Sequence, residues 1–160
     1  MITCINNEII IENNISLTDK STKRNIINST YNWEEWIKNF NNETVSYRLL
    51  LDKPKNKYGR LFLIVTFTVP INEKSLLCSW HLAPEKLING KQNNPKGKVT
   101  NNLKKWFYEE TGTKLPIRRE NMHIDASYDP WNYSGVIVCN YRSNFENEKA
   151  WKDYCKRNHI

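Results

Sequence analysis

Two histidines, His81 and His123, are the residues of this sequence that best suit proton transfer. Both fall in segments predicted as strands. If those strands were neighbours, the imidazoles could face one cleft, one as general base and the other as general acid, with Asp125 close by. Two-histidine phosphoesterases have H-x-[ST] motifs, whose Ser or Thr holds the phosphate. Neither histidine has this motif, because the residues two positions later are Ala83 and Asp125. We therefore expect hydrogen-bonded strand residues more than a catalytic pair.

A second set of side chains could bind zinc. Cys78 and His81 have C-x-x-H spacing, and His123 with Cys139 could complete a tetrahedral site if the strands align. The spacing between the two halves is irregular, and none of the four cysteines forms a C-x-x-C pair. The pattern therefore matches neither a zinc module nor a disulfide framework. We expect reduced thiols, and no metal or other cofactor.

The motifs of the common nucleotide-binding and hydrolytic enzymes are absent. The sequence contains no G-x-x-x-x-G-K-[ST], G-x-G-x-x-G, G-x-S-x-G or H-E-x-x-H motif. Only five glycines are available to build a phosphate-binding loop. The balance favours a protein that is not an enzyme.

Basic residues interleaved with aromatic ones form a more distributed signal. Lys and Arg neutralise phosphates, while an exposed Tyr or Trp stacks on an unpaired base, which is worth about 1–3 kcal/mol per base. The candidate nucleic-acid-binding residues are Lys53, Lys55, Lys57, Tyr58, Arg60, Lys91, Lys96, Lys98, Lys104, Lys105, Arg118, Arg119, Trp131 and Tyr133.

The overall charge agrees with that pattern without identifying a partner. Among 160 residues, 24 Lys and Arg outnumber 17 Asp and Glu, for a net charge of +7. Such a balance favours attraction to a polyanion or to an acidic surface of a larger protein. The abundance of Asn and Ile is equally typical of a base-composition bias that also enriches Lys.

No segment of the sequence predicts export or membrane insertion. The N-terminus lacks a charged segment followed by a continuous apolar run, and no stretch approaches the ~20 apolar residues of a membrane span. We therefore expect a cytoplasmic protein, or one that acts inside a host cell, with no membrane partner.

Hairpins dominate the predicted elements. Short β-branched or alternating segments predict strands at 8–12, 44–51, 60–69, 75–82, 121–128 and 135–141. We predict an α+β fold in a single domain, residues 1–160, with a mostly antiparallel sheet of about five strands and about three helices packed mainly on one face.

The first of these helices is predicted over 32–40. Trp33, Trp36, Ile37 and Phe40 follow the i, i+3, i+4, i+7 spacing of one helix face, behind a capping-box-like start. We expect an aromatic face directed into the core.

The other two helices are predicted from their ends. Thr100 could cap a helix that ends at Gly112, after a long basic loop over 84–98. Ser143 and Glu146 form an S-x-x-E capping box for the last helix. Trp106 and Trp151 of these helices are assigned to the core.

Three functions remain open at this point. The first is a small non-catalytic module that binds RNA or DNA through its basic loops. The alternative is a protein-binding inhibitor or adaptor of viral or mobile-element type, which docks on a larger nucleic-acid-handling partner. The third is a small phosphodiesterase or nuclease that uses His81 and His123.

Overall fold

The computed structural model describes residues 2–5, 8–12, 14–51, 59–84, 96–130 and 134–160. This part of the chain contains ten strands and three α-helices, which confirms the α+β class. The strands are β1 Ile2–Ile5, β2 Glu8–Ile11, β3 Ile15–Leu17, β4 Glu34–Lys38, β5 Thr44–Leu51, β6 Leu61–Phe67, β7 Leu77–Pro84, β8 Ile117–Arg119, β9 Met122–Asp129 and β10 Ser134–Tyr141. The helices are α1 Lys23–Ile27, α2 Lys96–Thr111 and α3 Glu148–Arg157, with a 3₁₀ helix at Arg142–Asn144. No helix of these residues is both long and apolar enough to cross a membrane.

The strands form two antiparallel sheets. The larger has seven strands in the order β4-β5-β6-β7-β10-β9-β8, and the smaller has three in the order β1-β2-β3. The expectation of about five strands in one sheet was therefore only roughly right. Short strands such as β3 and β8 carry too few residues for alternation to be visible in the sequence.

The prediction of a helix over 32–40 was wrong. It forms β4, and all five residues of β4 are exposed. Register shifts on either side of Ile37 interrupt its pairing with β5. Where the pairing of a strand is irregular, neighbouring residues point to the same face. The spacing of the apolar residues then resembles that of one helix face. Trp36 is consequently exposed, although the helix prediction placed it in the core.

The core lies between the two sheets and α2. Alternate residues of β5, β6, β7, β9 and β10 face it, and they form one cluster with the isoleucines and leucine of the small sheet. Trp80 and Tyr141 are the largest fully buried side chains, and the indole Nε1 of Trp80 donates to the Tyr141 hydroxyl at 3.3 Å. The period-two alternation that predicted these strands is therefore the pattern that builds the core.

Helix α2 packs closely against the inner face of β10. An added Cβ on Gly135 would lie 2.4 Å from Val99 Cγ1 and 2.5 Å from Leu103 Cδ1. Trp106 is buried on the same helix, as expected. Helix α3 lies on the opposite face, where Tyr154 contacts His123. The two longer helices therefore lie on opposite faces of the large sheet, whereas the prediction placed the helices mainly on one face.

Both helix starts differ from the prediction. Helix α2 begins at Lys96, and Thr100 lies inside it with its hydroxyl donating to the Gly97 carbonyl at 3.1 Å. Asn147 caps α3 by accepting from the Ala150 amide at 2.9 Å, while Ser143 lies in the preceding 3₁₀ helix. The end at Gly112 is confirmed, since its φ of 70° is the left-handed conformation expected there.

Candidate functional site

The outer face of the large sheet carries the polar side chains that the sequence marks for chemistry. Directly paired residues of neighbouring strands point to the same face, so the register defines two rows across it. One row contains Glu34, Arg48, Ile64, His81, Val138 and Asp125, and the other contains Ser46, Thr66, Ser79, Asn140 and His123. We call this surface the outer face, because the alternate residues of the same strands form the core.

The two histidines share the outer face without forming a pair. His81 lies on β7 and His123 on β9, with β10 between them. Two strand spacings are about 10 Å, so the two imidazoles are not hydrogen-bonded to each other. Burial lowers the pKa of both histidines, against an opposing effect of nearby Asp129 at His81 and Asp125 at His123. Both rings are therefore neutral near pH 7.

His123 connects α3 to the sheet. Its Nδ1 lies 2.6 Å from the hydroxyl oxygen of Tyr154, and the Asn140 side-chain amide donates to that oxygen at 3.3 Å. Burial raises the pKa of Tyr154, so this hydroxyl stays protonated. The Nε2 atom of His123 is buried without a hydrogen-bond partner among the residues the structure describes. This geometry suits a structural contact between uncharged groups.

A polar cleft of about 270 Å³ lies beside this contact, lined by His123, Asp125, Ser127, Asn140, Tyr154 and Asn158 among others. Asp125 is already engaged there. Its Oδ1 accepts from the Ala126 amide at 2.8 Å and from Lys104 Nζ at 3.0 Å. The His123 ring is likewise held by Tyr154, so both candidate groups of the cleft already have partners within the chain.

The four residues considered for zinc do not converge. Cys139 faces the core opposite Trp80, whereas His81 and His123 lie on the outer face. The Cys78 thiol donates to the Thr66 carbonyl at 3.3 Å. Burial raises the pKa of both thiols, which disfavours the thiolate that zinc requires. Within the described ranges no three His, Cys, Asp or Glu residues are grouped as metal ligands.

The basic residues expected to bind nucleic acid lie in several places. Lys53, Lys55, Lys57, Tyr58, Lys91, Trp131 and Tyr133 lie outside the described residues. Arg60 precedes β6, Lys96, Lys98, Lys104 and Lys105 lie on α2, and Arg118 and Arg119 lie on the edge strand β8. Lys104 is paired with Asp125, and Lys105 approaches Glu109 at 3.8 Å. The described members of this set therefore lie on α2, on β8 and just before β6.

The β4–β5 hairpin presents an apolar surface that the sequence prediction missed. Trp36 is 47% exposed, Ile37 is 49% exposed and Phe40 is fully exposed. The Arg48 guanidinium lies 4.2 Å from the ring centre of Trp36 and 5.2 Å from that of Phe62. Its Nε donates to Glu34 at 2.7 Å. We call Trp36, Ile37 and Phe40, with Arg48, the hairpin patch.

The signal that could have revealed this patch is the turn chemistry. Asn39-Phe40-Asn41-Asn42 separates two segments that can form strands, and Asn favours turns and the left-handed conformation. Asn42 adopts that conformation, with φ of 60°. A segment in which aromatic residues flank an Asn-rich turn is therefore as typical of a hairpin as it is of a helix.

Comparison with known proteins gives one family and one close structural match. The family model described as RhsI1 immunity protein matches residues 2–160. A chain of the solved structure "Rhs1-CT in complex with cognate immunity protein RhsI1" is 40% identical, covers 100% of this chain and 99% of its own, and superposes with a TM-score of 0.88. No curated protein matches the chain.

These findings decide between the hypotheses of function. They favour the protein-binding inhibitor over the nucleic-acid module, and a protein over nucleic acid as the partner. The expectation of an RNA-binding protein of viral type was therefore wrong. With a family model spanning residues 2–160, the chain belongs to the RhsI1 immunity protein family.

Proposed function

We propose that this protein is the immunity partner of an Rhs C-terminal (CT) domain, which it binds and thereby keeps from being toxic. The observation that carries the proposal is the match to the solved complex, at 40% identity over the whole chain. A TM-score of 0.88 over the whole chain shows that the two chains share one fold, which supports a partner of the same class.

The geometry of the described residues supports a binding role. The two histidines lie about two strand spacings apart, and Asp125, the carboxylate in the cleft, is already ion-paired with Lys104. An inhibitor needs no catalytic pair, but it needs an exposed surface with anchoring side chains. The hairpin patch is such a surface.

The net charge of +7 would assist this association. Complementary charge raises the rate of encounter between proteins more than it raises the final affinity. We propose an acidic surface on the CT domain, and action inside the cell that the CT domain would otherwise harm. Whether that domain handles nucleic acid stays a prediction.

Co-expression tests the proposal directly. We expect the cognate Rhs CT domain to arrest growth when expressed alone, and growth to recover when this protein is expressed with it. The purified pair should elute together as a stoichiometric complex. Growth arrest that persists despite soluble immunity protein, with no complex formed, would refute the proposal.

A second measurement distinguishes the proposed immunity function from nucleic-acid binding. Binding of the free protein to short labelled RNA and DNA is measured at two salt concentrations, because phosphate contacts weaken steeply with salt. We expect weak binding at both. Tight, salt-sensitive binding together with failure to bind the CT domain would restore the nucleic-acid module.

A further inference from the structure

We infer that the hairpin patch is the anchor by which this protein docks on its CT domain, with Phe40 and Trp36 entering an apolar depression of that domain. The inference rests on the proposed function and adds the surface and the chemistry of the contact. Three of the eight large apolar residues exposed in the described part of the chain lie in the five consecutive positions Trp36 to Phe40. Such concentration marks interaction sites.

The exposed area is large enough to matter. A fully exposed Phe with a half-exposed Trp and Ile presents about 400 Å² of apolar surface. One partner of a standard interface buries about 800 Å². The patch could therefore supply roughly half of one side, leaving a polar rim, as is typical of interfaces with a few dominant residues.

The tip of the hairpin is organised before any partner binds. The Asn39 side-chain oxygen accepts from the amides of Asn41 and Glu43, each at 3.0 Å, and its amide donates to the Glu43 carboxylate at 2.8 Å. The backbone closes the same turn through Asn39 N–H to the Glu43 carbonyl at 3.0 Å. Phe40 is thus presented on a fixed turn, which lowers the entropy lost on binding.

The charges around the patch fit a protein surface better than a polyanion. Arg48 is paired with Glu34 at 2.7 Å, and Lys38 with Glu35 at 3.3 Å. The cations beside the exposed aromatics therefore already have carboxylate partners, and a phosphate would have to displace them. Docking in an apolar depression of a protein requires no such displacement.

The side chains of the hairpin, and not its backbone edge, make the contact. β4 is the edge strand of the large sheet, yet its pairing with β5 is irregular on either side of Ile37. Such irregularity prevents regular pairing with an added strand. We therefore assign recognition to the outward side chains, with Arg48 stacked behind Trp36 to hold the indole in place.

Affinity measured with matched variants tests the inference. Binding to the purified cognate Rhs CT domain is measured by calorimetry for the wild type, Phe40→Ala, Phe40→Trp and the control Tyr108→Ala. Tyr108 is a comparably exposed aromatic, at 48%, and lies on α2. We expect Phe40→Ala to weaken binding about 10-fold or more, as loss of a central aromatic anchor does. Phe40→Trp and Tyr108→Ala should stay close to the wild type.

The outcomes distinguish the two proposals. No binding by the wild type would refute the proposed function itself. Tight wild-type binding with Phe40→Ala unchanged would refute only this inference. A wild type that dimerises through the hairpin, with Phe40→Ala monomeric and its affinity for the CT domain unchanged, would assign the patch to a second copy and also refute it. Equal thermal stability of all variants would show that they fold.

Discussion

Replacing Gly135 with alanine tests how closely α2 is seated on the large sheet. The new Cβ would lie 2.4 Å from Val99 Cγ1 and 2.5 Å from Leu103 Cδ1, well inside van der Waals contact. The φ angle of Gly135 is not in the left-handed region, so the substitution strains the packing and not the backbone. Overpacking of this kind costs about 1–3 kcal/mol.

Part of that cost is offset, because alanine is favoured over glycine within a strand by roughly 0.5–1 kcal/mol. We therefore expect the free energy of unfolding to fall by about 1–2 kcal/mol, which lowers the Tm by about 2–8 °C for a chain of this size. Urea unfolding followed by tryptophan fluorescence would measure the change.

Gly97 on the same helix provides the control. A Cβ at that position would meet nothing within 4 Å. Gly97→Ala should leave stability unchanged or raise it by up to about 1 kcal/mol, because alanine has the higher helix propensity. If Gly135→Ala were as stable as the wild type, α2 would not lie as close to β10 as the structure places it, and the reasoning would fail.

Three further predictions concern the core, the histidines and the hairpin. Trp106→Ala should lower the unfolding free energy by about 3–5 kcal/mol in the same assay, since this side chain is 4% exposed; a loss below about 1 kcal/mol would contradict its burial. Burial lowers the pKa of His81 and His123 from 6.5, so the unfolded chain binds more protons below that pH. Stability should therefore fall as the pH drops from about 7 towards 5, and His123→Asn should reduce this dependence, whereas a flat profile in the wild type would refute it. Asn39→Ala should lower affinity for the CT domain by freeing the tip that presents Phe40, and an unchanged calorimetric affinity would show that the turn needs no such support.

The sheet strands could be predicted because their pattern is local. Strand β5 shows the alternation of a half-buried strand, and the apolar segment that became β6 is interior in the sheet. Each such segment must bury one face whatever its neighbours are, so its own sequence identifies it. The same reasoning succeeded for β9 and β10, and for the end of α2 at Gly112.

The hairpin patch could not be predicted in the same way. The helical spacing of Trp36, Ile37 and Phe40 fits a buried helix face, and the Asn-rich turn indicates a hairpin no more strongly than that spacing indicates a helix. The pairing of β4 with β5 makes this segment a strand. The residues that pair with β4 come later in the chain, on β5, and so do not appear in the spacing of the segment itself. Large apolar residues usually mark the core, so their exposure here became visible only in three dimensions.

Length, charge and the absence of catalytic motifs were determined by the sequence itself, and they favoured a small binding protein that is not an enzyme. They could not separate nucleic acid from protein as the partner, because net charge acts at long range and carries no shape. Only the tertiary structure placed His81 and His123 apart, buried Cys139 on the other face of the sheet, and exposed the aromatic hairpin. Those placements depend on strand order and register, which arise from contacts between residues distant in the chain.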